Sequence, residues 1–142
     1  MLSFVRTPVL MMGLVLPLLA TAQENDPPKE IDCGYPLNNA ERTFCADKAL
    51  AEAEAAMDEA YRNLQEKLFA MDAELPDHLK GSPEALAKAQ LAWRNYRDLD
   101  CKAYGFPFQG GTRGNALFRS CMIILTRQRA DDLSATIEDY GN

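Results

Sequence analysis

The sequence predicts an all-α fold: a small antiparallel three-helix bundle with a short extra N-terminal helix, stapled by two disulfides. Three observations lead there. Apolar residues recur at three- and four-residue spacings in long segments, no segment alternates in the manner of a strand, and all four cysteines follow a leader-like N-terminus.

The first 22 residues read as a cleaved signal peptide. Arg6 supplies a positive start, "VLMMGLVLPLLA" is an apolar stretch interrupted by Pro17, and Ala20-Thr21-Ala22 is a small-x-small cleavage site. The stretch is too short for a membrane span, which needs ~20 apolar residues. No cysteine follows the site, so the expectation is a free protein, periplasmic or secreted after cleavage near Ala22, and not a lipid-anchored one. The remaining length suits one domain.

Without Arg6 the chain holds 14 basic residues against 21 acidic ones. That balance argues against nucleic acid, where Lys and Arg contacts to phosphate supply most of the affinity. It fits a basic protein partner, steered by the long-range field, or simply a soluble acidic surface. With His78 the only histidine and no CxxC pair, no metal site is expected, and no cofactor either.

Residues 23–38 hold three prolines and a glycine and read as an extended lead-in; the helical domain is placed at 39–140. Asn39 is the expected N-cap of a short first helix, with Glu41 in its first turn. From Ala46 an alanine-rich run favours a long helix, with Leu50, Met57, Tyr61, Leu64 and Leu68 on one face. After the break "DAELPDHLKG", Ser82 is the expected cap of the next helix and Pro83 its first residue. Its apolar stripe is Leu86, Ala89, Trp93, Tyr96 and Leu99/Cys101, ending before Gly105. The last helix is expected from about Asn115 to Tyr140, with Phe118, Met122, Leu125, Leu133 and Ile137 as its stripe.

Four cysteines allow three pairings. In an antiparallel hairpin Cys101, late in one helix, and Cys121, early in the next, fall at similar levels, and Cys33 can fold back onto Cys45. The pairing 33–45 and 101–121 is therefore favoured, each bridge contributing on the order of 3 kcal/mol.

The string Ala89-Gln90-x-Ala92-Trp93-x-x-Tyr96-Arg97-Asp98-x-x-Cys101, followed by Gly110-Gly111, Cys121, Leu125-Thr126-x-x-Arg129 and Leu133, closely resembles the LprI-like lysozyme inhibitor domain. Cys33, Cys45 and the helix "AEAAMDEAYRNL" stand where that family has its other cysteine pair and its Leu-Asn-x-x-Tyr helix. The chain departs from the pattern at Met57-Asp58, where Leu-Asn is common, and in lacking the lipoprotein cysteine of some members. The resemblance implies an exported helical domain that inhibits host-type or chicken-type lysozyme by binding it, without catalysis. The alternative is an envelope interaction module that binds a different exported protein or toxin. Oligomeric state is not legible.

Three candidate sites follow. Trp93, Tyr96, Arg97 and Asp98, with Thr126 and Arg129 on the last helix, form either a polar seam or a recognition surface. Arg97 lies one turn from Trp93 and can cover its ring, Asp98 can pair with Arg94, and Arg129 can reach Asp98 or Asp100. No partnered nucleophile or base marks an enzyme, so no catalytic residue is assigned. The glycine-rich stretch 105–114 is the better partner-binding candidate, through Phe106, Phe108, Gly110, Gly111 and Arg113, unless both phenylalanines fold back onto the bundle. An acidic face through Glu52, Glu54, Asp58, Glu59, Asp72 and Glu74 either steers a basic lysozyme or is the solvated side of a helix.

Overall fold

In the computed structural model, residues 30–141 are described; the signal-peptide reading of residues 1–22 lies outside them. Three α-helices account for most of the described residues: α1 (Asn39–Ala73), α2 (Ser82–Gly105) and α3 (Thr112–Asp139), with one-turn 3₁₀ segments at Asp77–Leu79 and Phe106–Phe108. No strand occurs among the described residues. The expected short first helix is not a separate element. It runs without a break into the long alanine-rich helix, because nothing between Asn39 and Ala46 disfavours helix.

Asn38, one residue earlier than expected, caps α1. Its side-chain oxygen accepts from the Glu41 N–H at 2.9 Å, while the Glu41 carboxylate accepts from the Leu37 N–H and the Asn38 amide. This reciprocal arrangement satisfies donors that the helix leaves free. The helix ends before Pro76, which cannot continue it.

Ser82 is not the cap of α2 but its first residue, and Pro83 is the second. Gly81 occupies the cap position at φ +133°, a conformation open to glycine alone at little cost. The capping acceptor comes instead from α1. Asp72 accepts from the Gly81 N–H (2.6 Å), the Ser82 N–H (3.1 Å) and the Ser82 hydroxyl (2.6 Å). The carboxylate thereby closes the α1–α2 connection.

Helix α1 packs chiefly along α3, and α2 leans mainly on α3. Cross-links fix the directions: Asp47 pairs with Arg119, and Glu54 lies level with Thr126 through Arg97, so α1 and α3 run parallel while α2 opposes both. The core consists of Met57, Ala60, Leu64 and Leu68 from α1 with Ala130 and Leu133 from α3. Tyr61, Leu86, Trp93 and Ile137 close over it. Each buried Leu or Met contributes about 1.5–3 kcal/mol relative to exposure. Both expected disulfides are formed, Cys33–Cys45 and Cys101–Cys121.

Helix α2 keeps Leu86, Trp93 and Cys101 of its expected stripe inward and turns the rest out. Pro83, Gln90, Arg97 and Cys101 face inward with part of Leu86 and Trp93, whereas Ala89, Tyr96 and Leu99 are exposed. The apolar residues of α2 are spread around the helix, so periodicity alone did not select the inward side. Polar partners on α1 and α3 did, by satisfying Gln90 and Arg97 inside.

Candidate partner-binding surface

The polar residues of α2 resolve first into a seam. Buried Arg97 donates from Nε to Asp98 (2.9 Å) and from Nη1 to Glu54 on α1 (3.3 Å) and Thr126 on α3 (3.0 Å). Its guanidinium carbon lies 5.3 Å from the Trp93 ring centre, and that of Arg129 lies 5.9 Å away, so the indole has two cations within cation–π range. Arg129 does not reach Asp98 or Asp100. It donates to Gln90 Oε1 at 3.0 Å, and Gln90 in turn donates to Met57 Sδ at 3.3 Å. Burial lowers the Arg129 pKa, with Asp132 opposing the shift, and an arginine stays charged through that. Arg94 pairs with Asp58 on α1, not with Asp98. Tyr96, expected to pack, is 55% exposed and takes no part in the seam.

Every buried side-chain nitrogen or oxygen among the described residues has a hydrogen-bond partner. The seam thus leaves no fully buried side-chain polar atom unsatisfied, which gives it a structural role. The sequence reading gave Gln90 and Glu54 no place in the seam. Gln90 sits inside the recognised string, one residue from Ala89, and only its inward position gives it meaning. Glu54 looked like one of several carboxylates on a solvated face.

That acidic face does not persist as a single surface. Glu54 and Asp58 are paired with Arg97 and Arg94, Glu52 with Lys48, and Asp72 is turned onto the start of α2. The Ser82 hydroxyl and the Gly81 N–H hold the Asp72 carboxyl below its ordinary pKa.

The glycine-rich end is shorter than the sequence suggested. Phe106–Phe108 forms a 3₁₀ turn and α3 already begins at Thr112, so Arg113 stands in the first turn of a helix and not on a loop. Here the backbones meet closely. A Cβ on Gly105 would lie 2.9 Å from the Gly114 carbonyl oxygen, and one on Gly114 would lie 2.7 Å from that of Phe108. Gly110 adopts φ +91° to make the turn. The Cys101–Cys121 bridge fixes α2 to α3 just beneath. On this base Phe106 is 61% exposed, and Phe108 carries the Arg113 guanidinium 4.1 Å from its ring centre. Neither phenylalanine is buried in the bundle. Beside them a shallow depression of ≈ 660 Å³ is lined by Lys102, Gln109, Gly110, Thr112, Asn115 and Phe118. The five residues chosen from the sequence are therefore brought to one end, and Lys102 and Phe118 join them.

The fold and the site define a class: an all-helical domain, closed by two disulfides and an internal arginine–tryptophan seam, that presents a rigid aromatic and cationic end. The chain belongs to the family described as Lysozyme inhibitor LprI, whose model matches residues 33–133. It is also similar to the uncharacterized protein R02472 of Rhizobium meliloti (strain 1021), with 36% identity over 133 residues, covering 92% of this chain and 96% of that protein. No solved structure matches. Among the described residues, no helix is long and apolar enough to cross a membrane.

Proposed function

We propose that the protein is an exported inhibitor of lysozyme that acts by binding the enzyme, without catalysis of its own. Family membership across residues 33–133 is the observation that carries this reading. Two disulfides support an oxidising destination, periplasmic or extracellular, after removal of the leader near Ala22. The binding surface in this reading is the end formed by Phe106, Phe108, Gly110, Gly111 and Arg113, which covers the muramidase cleft. Its support is mechanical as well as chemical. Exposed aromatic rings and an arginine are favoured interface anchors, and here their backbone is fixed by a disulfide and two close glycine contacts, so little freedom is lost on binding.

A turbidity assay tests the reading. Oxidised mature protein should protect peptidoglycan from lysozyme at near-stoichiometric ratios, and Phe108→Ala should weaken protection without altering the helical circular dichroism. Lysis that proceeds unchanged at a large excess of oxidised protein would refute it.

A further inference from the structure

The chain is acidic, yet charge is segregated along its last helix and the turn before it. Residues 101–130 contain Lys102, Arg113, Arg119, Arg127 and Arg129 and not one Asp or Glu, while residues 131–139 contain Asp131, Asp132, Glu138 and Asp139 and no Lys or Arg. The last turns of α1 and α3 and the first of α2 share one end, where Asp72, Glu74, Asp77 and Glu84 join the acidic C-terminal run and Lys80, paired with Asp77, is the cation among them. At the opposite end stands the glycine-rich turn. Within the basic run, Arg119 is paired with Asp47 and Arg129 with Gln90. Lys102 and Arg113 are exposed, and neither is ion-paired with any carboxylate among the described residues. No carboxylate lines the depression that Lys102 borders, and Arg113 stands beside its Thr112 and Gly114.

We infer that this end recognises carboxylates, and that its occupant is the pair of acidic residues flanking the scissile bond in the cleft of a glycoside hydrolase. The inference rests on the lysozyme-binding reading and adds the chemistry of the contact. A retaining glycosidase holds its two carboxyl groups about 5–5.5 Å apart, and this acidic pair lies inside a cleft that otherwise admits a sugar chain. A cation held at the short turn between α2 and α3 can be presented to such a cleft. Arg113 is preset for it: stacked on Phe108, its planar guanidinium surrenders little side-chain freedom and can bind a carboxylate through two parallel hydrogen bonds. Lys102 supplies a second, more mobile charge at the edge of the depression. The acidic far end completes the arrangement by orienting the molecule as it approaches a basic enzyme, a contribution to the association rate.

The test is a double-mutant cycle read by calorimetry. Binding of the oxidised mature chain is measured for a chicken-type lysozyme and for a variant of it with both cleft acids replaced by their amides. Arg113→Glu and Lys102→Glu are compared with wild type, and Arg113→Lys retains the charge without the fork. Arg113→Glu is expected to weaken binding to the unaltered enzyme about 30-fold or more. The amide enzyme should bind wild type more weakly and should lose most of its discrimination between wild type and Arg113→Glu. Arg113→Lys should fall between them. Unchanged melting temperatures confirm that the exposed substitutions leave the fold intact, and Lys102→Glu gives an independent reading of the same field. If wild type inhibits but the charge reversals bind as tightly, or the amide enzyme binds as well as the unaltered one, the carboxylate inference is wrong and the inhibitor reading stands. If wild type does not bind lysozyme, both fall together.

Discussion

Arg97 donates to Thr126 across the α2–α3 contact at 3.0 Å, with 4% and 0% of the two residues exposed. The centre of that contact is therefore a hydrogen bond to a charged group. The same guanidinium reaches Glu54 on α1, so one side chain ties the three helices together. Its counter-charges stay near water, with the Glu54 and Asp98 side chains 40% and 57% exposed. Burying the cation while leaving the anions hydrated limits the desolvation cost that makes buried ion pairs expensive.

This geometry separates two substitutions. Thr126→Val removes one acceptor while the guanidinium keeps Glu54, Asp98 and the Trp93 ring, and it should lower the unfolding free energy by about 1–3 kcal/mol. Arg97→Ala deletes every leg at once and leaves a void beside Trp93, and it should cost about 3–5 kcal/mol. Urea unfolding of the two variants and of the double variant measures the coupling. Equal effects of the two single substitutions would mean that the other legs carry no weight.

Asp72 predicts a dependence on pH. Its pKa is lowered in the folded protein by the Ser82 hydroxyl and the Gly81 N–H, from an ordinary value of 3.8. A depressed carboxyl pKa stabilises the folded state above the unfolded value, and that contribution disappears as pH falls through the folded value. Asp72→Asn should therefore melt below wild type at pH 7. The gap should hold down to about pH 4, then close as the solution is acidified further. Thermal melts from pH 7 to 2 follow this directly, and a gap that persisted unchanged at pH 2 would show that charge is not what holds the α2 start.

The same residues show what was legible from the chain alone. Three helices, the cysteine pairing and the family were all readable, because each rests on spacing or on a contiguous string. The inward side of α2 was legible only in Leu86, Trp93 and Cys101. Ala89, Tyr96 and Leu99 form as good an apolar stripe as the side that is buried, and the choice depends on Glu54, Thr126 and Arg129, which lie about 30 to 45 residues away in sequence. The partners of the acidic face were hidden for the same reason: carboxylates that look unpaired on one helix meet arginines and N–H groups of another. The exposed cationic end had a signal in the sequence, the run from 101 to 130 without an acidic residue, but its meaning depended on which of its cations found partners.

The Cys101–Cys121 bridge spans 20 residues, and the chain-entropy account gives its removal a cost of about 3 kcal/mol. Because the bridge lies directly under the glycine-rich end, its loss should also loosen Phe108 and Arg113. A Cys101→Ala/Cys121→Ala variant should melt lower and inhibit lysozyme less well, whereas loss of Cys33–Cys45, which ties the lead-in to α1, should lower stability with a smaller effect on inhibition. Chemical denaturation and inhibition titrations on both variants distinguish the two bridges.

The glycines at this end divide by what surrounds them, and the division yields a graded series. At Gly114 an added Cβ meets the Phe108 carbonyl oxygen at 2.7 Å, and neither partner is a flexible side chain that can swing aside. Gly114→Ala must push the 3₁₀ turn away from α3, at a cost of about 1–3 kcal/mol, and displaces the ring that supports Arg113. Gly110 has open space but a φ of +91°, so Gly110→Ala should cost about 1–2 kcal/mol from the backbone alone. Gly111 has open space and an extended φ of −135°, so only its place as the N-cap of α3, where Ala ranks below Gly, counts against Gly111→Ala, at a cost of no more than about 1 kcal/mol. Melting temperatures should therefore fall least for Gly111→Ala, and inhibition should fall most for Gly114→Ala. Were Gly111→Ala to abolish inhibition while leaving stability untouched, the partner would be contacting the Gly111 backbone itself, and the contact surface would extend over the open turn beyond the Phe108–Arg113 stack.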